Sequence, residues 1–445
     1  MSQPAPSPSR ARRPLISPAI TDRAFSPAGV LIACLAVNLF FVVYFLTFAF
    51  HGEAFSDTGI YRQWAAAGFD ESRLQGLPTP WVYPILALVP IAIAGAFGPG
   101  PFLGIWVLMI AALNCLAVGF LTNWGRSRDG ARAAWWWLLF VLIMGTLGFT
   151  RVDGFTAPVV LIALVFGVGR PALASAILSV ATWMKIWPAA VLLALFTAVR
   201  SRVRVVLAAV AVTAGVGIAA LALGVAPRLL NFLTAQGDRG MQLEATFTTP
   251  WLWLSVLHVD GARMYMNTEI NSMQVDGPGT AVASFLMQPL FVLAALTVVG
   301  LLFWALHRGK QRGVDRSELL LVGALTMVTA FVVFNKVGSP QFMVWLAPAV
   351  AVGLAHSWRQ WKVPAALLIA IAAATYVVYP LYYDALSHND PGMALVLTIR
   401  NALLVVLFVW SVRRLYLLGR GAGTAPEPTA GDTAASGSYR PAPGN

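Results

Sequence analysis

Few side chains in this sequence can do chemistry, and their placement is uneven. Asp57 stands in Ser56-Asp57-Thr58-Gly59-Ile60-Tyr61-Arg62-Gln63-Trp64, directly after the apolar run from Ala28 to Phe50. A carboxylate can act as general base on a hydroxyl when it is held within hydrogen-bond reach and out of bulk water. Glu53 is the competing acid. Asp57 or Ser56 can alternatively cap the helix that follows, which is worth about 1 kcal/mol. Arg151-Val152-Asp153 sets opposite charges close together ahead of another apolar run. They can pair locally and stabilise a helix start. Alternatively, Arg151 contacts a phosphate while Asp153 orients it or a sugar hydroxyl. Arg239 and Glu244 lie in a long connection and are further candidates to bind a ligand, against the plainer reading of exposed loop charge. His258 and His388 read as ordinary loop residues.

The chain has only four lysines: Lys185, Lys310, Lys336 and Lys362. Lys310 and Lys362 fall in basic loops. Lys185 and Lys336 fall at the other ends of apolar runs, against the bias that keeps cations inside. A cation at mid-bilayer costs about 2.5–3.5 kcal/mol, less near the interface. Such a residue either snorkels to the surface or holds an anion, most simply a lipid phosphate.

The elements that position these groups are membrane spans. Of the 445 residues, 58% are hydrophobic and 11% charged, whereas a soluble chain carries roughly a quarter charged residues. Continuous apolar runs near the ~20 residues that cross a bilayer indicate an all-α, polytopic membrane protein, and the lack of period-2 alternation argues against a β-barrel. The formal net charge of +12 sits in short loops between runs, which is membrane topology rather than a nucleic-acid surface. Cys34 and Cys115 lie inside apolar runs, and the histidines are scattered, so no metal or other cofactor is expected.

The run from Ala28 to Phe50 reads as an uncleaved first span, and His51 to Pro80 as the first external loop. Within that loop Asp57 to Phe69 can form a short helix with Ile60, Trp64 and Ala67 on the face toward the membrane surface. Trp81 to Gly98, interrupted by Pro84 and Pro90, reads as re-entrant or surface-lying. Phe155–Gly169, Ala172–Met184 and Trp187–Val199 are shorter than a full span, as found around polar cavities. Pro227 to Gly279 is a long external loop. The sum is about twelve transmembrane helices: residues 28–418 form one membrane domain, with disordered cytoplasmic tails at 1–27 and 419–445.

Taken together, SDTGIYRQWA at Asp57, WVYP at Trp81, TRVDGFTAP at Thr150, MKIWP at Met184, RGMQLEAT at Arg239 and NKVGSPQF at Asn335 resemble glycosyltransferase family 87, of the GT-C superfamily. The order of these stretches, across most of residues 28 to 418, carries the resemblance. It implies a GT-C-like fold with a catalytic first external loop. The implied reaction is inverting transfer of a sugar, mannose by default, from a polyprenyl-phosphate donor to a cell-envelope glycolipid or glycan. It takes place on the outer face of the plasma membrane, and no metal is needed. Asp57 takes the place of the base. Arg151, Asp153, Lys185, Arg239, Glu244, Lys336 and Gln341 become the substrate- and phosphate-binding set. The phosphatidylinositol-mannoside branch carries a His-His pair near Ser339-Pro340-Gln341-Phe342. Here Gln and Phe stand instead, and Lys336 and Gln341 are the residues left to do that positioning. The alternative reading is a transporter or lipid flippase. It predicts charges near the bilayer midplane and internal repeats, and the sequence shows neither.

Overall fold

Backbone polar groups in a bilayer must be satisfied within the segment, so apolar runs become helices. The computed structural model describes residues 22–68, 81–224, 229–230, 240–268, 270, 272–310 and 313–421. Most of both tails, the far part of the first loop and Arg239 lie outside the described residues.

Among the described residues, eight helices are long and apolar enough to cross a membrane. They are α1 (Pro27–Phe50), α4 (Phe102–Leu121), α5 (Arg128–Phe149), α9 (Arg202–Ala222), α11 (Thr280–Lys310), α12 (Arg316–Val333), α14 (Trp358–Tyr376) and α16 (Pro391–Gly419). The shorter helices between them are α2 (Thr58–Ala67), α3 (Leu88–Gly95), α6 (Asp153–Phe166), α7 (Pro171–Met184), α8 (Pro188–Ala198), α10 (Thr249–Val256), α13 (Met343–His356) and α15 (Tyr383–Ser387). The chain is a multi-pass, helical membrane protein.

The roughly twelve crossings expected from sequence, short runs included, correspond to these eight full-length helices and four shorter ones. The four are α6, α7, α8 and α13, with 14, 14, 11 and 14 residues. At about 1.5 Å per residue, a 14-residue helix reaches only ~21 Å. The segment from Ile85 to Gly95, a 3₁₀ turn followed by α3, is likewise shorter than a span. The long loop after α9, to which the sequence assigned no elements, contains a β-hairpin. β1 (Arg263–Asn267) pairs antiparallel with β2 (Ser272–Asp276), Tyr265 opposite Gln274.

The core centres on α12 and α13. α13 packs against α5, α6, α12 and α14 at once, and nearly all its side chains are buried. α9 and α11, by contrast, expose apolar faces along their length, as a helix against lipid must. α5 bends at Gly145 (φ 49), a conformation that favours glycine. There the Tyr376 ring lies 3.0 Å from where a Cβ would sit.

One end of this core is held by a charge cluster. Buried Glu318 accepts hydrogen bonds from Trp361 Nε1 at 2.9 Å and Arg414 Nε at 3.1 Å. Next to it, His356 contacts Asp315 at 2.8 Å. The cluster joins α12, α13, α14 and α16. Removing one member of a buried pair leaves an uncompensated charge, at a cost of about 3–5 kcal/mol. Arg414→Ala is therefore expected to destabilise the protein by about 3 kcal/mol, read as a lower thermal midpoint in detergent. The double change Arg414→Met, Glu318→Gln should recover most of that loss.

Candidate active site

Asp57 is placed by a turn that does not need its side chain. Ser56 takes a left-handed conformation (φ 56). Thr58 closes the turn from both sides: the Phe55 amide donates to its Oγ1 at 3.0 Å, and Oγ1 donates to the Phe55 carbonyl at 2.6 Å. Asp57 stands at the N-cap of α2 but makes no capping bond with its side chain. The capping alternative is thereby overturned. Its Oδ2 pairs with Arg151 and also lies 3.5 Å from the Tyr61 hydroxyl. Glu53 is exposed and lines neither cavity described below.

The buried face of α2 is Thr58, Tyr61, Trp64 and Ala67, with Ile60 only half-buried. Trp64 and Ala67 were expected there. Tyr61 replaces Ile60 because the helix turns toward protein rather than toward lipid. Tyr61 packs on Trp106 at 4.9 Å, and Trp64 meets Trp81 at 4.9 Å.

Arg151 and Asp153 do not pair with each other. They lie at the break between α5 and α6 and reach in different directions. Arg151 turns to Asp57 and, at 3.4 Å, to the Tyr379 hydroxyl. Asp153, 0% exposed, accepts from Lys185 Nζ at 2.6 Å and from Trp345 Nε1. Lys185 occupies the extended break between α7 and α8. Its ammonium lies 5.2, 5.6 and 6.0 Å from the ring centres of Tyr83, Trp345 and Phe342. Each such contact contributes about 0.5–2 kcal/mol, more as water is excluded. The snorkelling alternative for Lys185 is overturned, since the side chain is buried against a carboxylate and three rings.

Two cavities meet here. The first, about 570 Å³, is polar and lined by Asp57, Tyr61, Arg151, Gln242, Glu244 and Tyr383, among others. The hairpin adds Met266, Ser272 and Met273, with Ile270 from its turn. The second, about 350 Å³, is walled by Phe291, Phe331, Phe334, Phe342 and Trp345 and carries Lys185 and Lys336. Val82, Tyr83, Ser339 and Gln341 line both. Asp153 lines neither; its carboxylate is bonded to Lys185.

Glu244 is 2% exposed. The segment that carries it is bonded on two sides. Leu243 N–H donates to the Met273 carbonyl and Gln242 N–H to the Lys336 carbonyl, each at 3.0 Å. Gly338 packs so tightly there that a Cβ would lie 2.3 Å from Ala245 Cα. Glu244 Oε1 accepts from the Tyr383 hydroxyl at 2.7 Å. Burial pushes its carboxyl above the usual range, partly offset by that hydrogen bond and by Arg400. Burial likewise pushes the Tyr61 and Tyr83 phenols up, so both keep their protons and remain donors.

Of the residues expected from sequence, Asp57, Arg151, Glu244 and Gln341 share the polar cavity. Lys185, Lys336 and Gln341 share the apolar one. Tyr61, Tyr83, Tyr379, Tyr383 and Gln242 were not foreseen, since a loop tyrosine carries no spacing signal. Arg400 was also passed over. It is a buried cation within the final span that donates to the Glu244 carbonyl at 3.0 Å. A charge inside an apolar run was the available sign. Among the described residues, no three His, Cys, Asp or Glu side chains converge to hold a metal ion.

Removing Lys185 would strand Asp153 in the core. Lys185→Met is expected to cost about 3–5 kcal/mol. Adding Asp153→Asn should restore most of it, measured by thermal unfolding in detergent. A double variant no more stable than the single one would show that the two do not act as a pair.

Comparison with known proteins adds a family. Glycosyltransferase family 87 matches residues 81–332, more than half of the chain. That stretch holds Arg151, Asp153, Lys185, Arg239 and Glu244, and leaves out Asp57, Lys336 and Gln341. No curated protein matches the chain. Among solved structures, the crystal structure of ArnT from Cupriavidus metallidurans in the apo state is similar at TM-score 0.38 and 16% identity, over 86% of this chain and 76% of that one. Similarity at that level carries no argument.

Proposed function

The chain belongs to glycosyltransferase family 87, and on that premise we propose that this membrane glycosyltransferase moves a sugar, mannose, from a polyprenyl-phosphate donor to a cell-envelope glycolipid or glycan. The reaction takes place on the outer face of the plasma membrane, with both termini in the cytoplasm. The observation that carries the reading is the pair of joined cavities: one apolar with two lysines, one polar with a carboxylate.

An amphiphile fits the first cavity. The prenyl chain lies along Phe291, Phe331 and Phe334, and the phosphate meets Lys185 and Lys336. Asp153 keeps Lys185 in place. The acceptor enters the polar cavity, where Glu244, Gln242 and Tyr383 form one wall. The recorded bonds of Asp57 both fall on Oδ2, which leaves Oδ1 for the acceptor hydroxyl. As that oxygen attacks the anomeric carbon, its proton passes to Asp57. The bond from carbon to phosphate oxygen breaks, and the electron pair leaves with the phosphate. Lys185 and Lys336 stabilise the charge that develops, the electrostatic contribution that is often the largest in catalysis. Attack from the face opposite the phosphate inverts the anomeric centre. Arg151 is a positioning residue, holding the carboxylate in its orientation.

Asp57→Asn is expected to lower transfer of radiolabelled mannose from polyprenyl phosphomannose in native membranes by at least about 10²-fold at matched expression, the usual worth of a general base. Full activity in the variant would remove Asp57 as the base. Retention of anomeric configuration in the product would remove inversion.

A further inference from the structure

The glycosyl group to be transferred must sit where the two cavities join, because its anomeric carbon is bonded to the phosphate and is attacked from the side of Asp57. Four residues line both cavities: Val82, Tyr83, Ser339 and Gln341. Their hydrogen-bonding capacity differs. Val82 has none. The Tyr83 hydroxyl lies 3.3 Å from that of Tyr61, and its ring faces Lys185. The Ser339 hydroxyl donates to Gln242 Oε1 at 3.1 Å. Gln341 is 8% exposed, and its amide makes no hydrogen bond among the described residues. Because the residue lines both cavities, that amide is open to a ligand group that can accept and donate.

Its backbone is fixed. Gln341 lies in the 3₁₀ turn Pro340–Phe342 that opens α13, and the Phe342 amide donates to the Ser339 carbonyl at 2.9 Å. Phe342 stacks on Trp345 at 3.8 Å, and Gly338 donates to Gln242 Oε1 at 3.1 Å. A rigid turn holding an open amide at the junction is a preorganised contact.

We propose that Gln341 is a specificity-determining residue whose side-chain amide hydrogen-bonds a hydroxyl of the donor's glycosyl group. This rests on the two-cavity reading above for the placement of that group. An amide both donates and accepts, which matches a sugar hydroxyl. It also adds no charge beside the departing phosphate, so the contact reads the sugar and leaves the phosphate to the lysines.

The test is binding to the full-length protein in detergent, read by tryptophan fluorescence, since Trp345 lines one cavity and Trp64 the other. The probes are farnesyl phosphomannose, farnesyl phosphate and octyl α-mannoside. Wild type should bind farnesyl phosphomannose more tightly than farnesyl phosphate. In Gln341→Leu that preference should shrink by about three- to tenfold, the worth of one neutral hydrogen bond, with affinity for farnesyl phosphate unchanged. If Gln341→Leu does not fold, Gln341→Asn, one methylene shorter, should show the same loss. An unchanged preference in a folded variant overturns the proposal while leaving the lipid-phosphate reading standing. So does a wild type that does not discriminate between the two farnesyl probes. A loss confined to octyl α-mannoside would overturn the assignment to the donor and move the contact to the acceptor. Transfer that survives Asp57→Asn would overturn the base and not this contact.

Discussion

Four charges that have to be neutralised out of water organise one end of this molecule. Two of them, Arg151 and Asp153, leave the chain at the same break, and the cheapest arrangement would join them to each other. Instead Arg151 reaches Asp57 at the start of α2, and Asp153 reaches Lys185 between α7 and α8. Each charge is thus compensated by a different element, and a single turn fixes both. Neither pair can lose one member without stranding the other at low dielectric. The cavities, the aromatic rings around Lys185 and the short helices that end at this level all follow from that crossing.

The short helices are the structural cost of bringing polar groups to one depth. A full-length span would carry its ends past the site. α6, α7 and α8 stop early, and their breaks deliver Arg151, Asp153 and Lys185. The freed backbone groups are tolerated because they face protein and cavity rather than lipid. The burial pattern agrees: α6 and α13 are enclosed, while α9 and α11 expose apolar faces.

Much of this was legible in the sequence. Span-length apolar runs and loop charges indicated a helical membrane protein, and misplaced lysines flagged Lys185 and Lys336. Their partners were not legible. Pairing between Asp57 and Arg151, or between Asp153 and Lys185, depends on how distant helices pack, and spacing along the chain suggested the local pair instead. The hairpin was missed because its strands, RMYMN and SMQVD, are short and carry little β-branching. Arg400 stands as a lone charge inside an apolar run, a sign that was there to be read, but its partner Glu244 lies far along the chain. The tyrosines around the polar cavity matter through where their hydroxyls point, which composition does not encode.

The polar cavity has walls of two kinds. One is anchored in the spans and carries the paired charges. The other is the β1–β2 hairpin, which contributes Met266, Ser272 and Met273 with Ile270 from its turn. These four side chains take no part in the recorded ion pairs. Substitutions at these four positions therefore reshape that wall without removing a member of the ion pairs at Asp57 and Asp153. One wall sets the outline of the cavity and the other its charge.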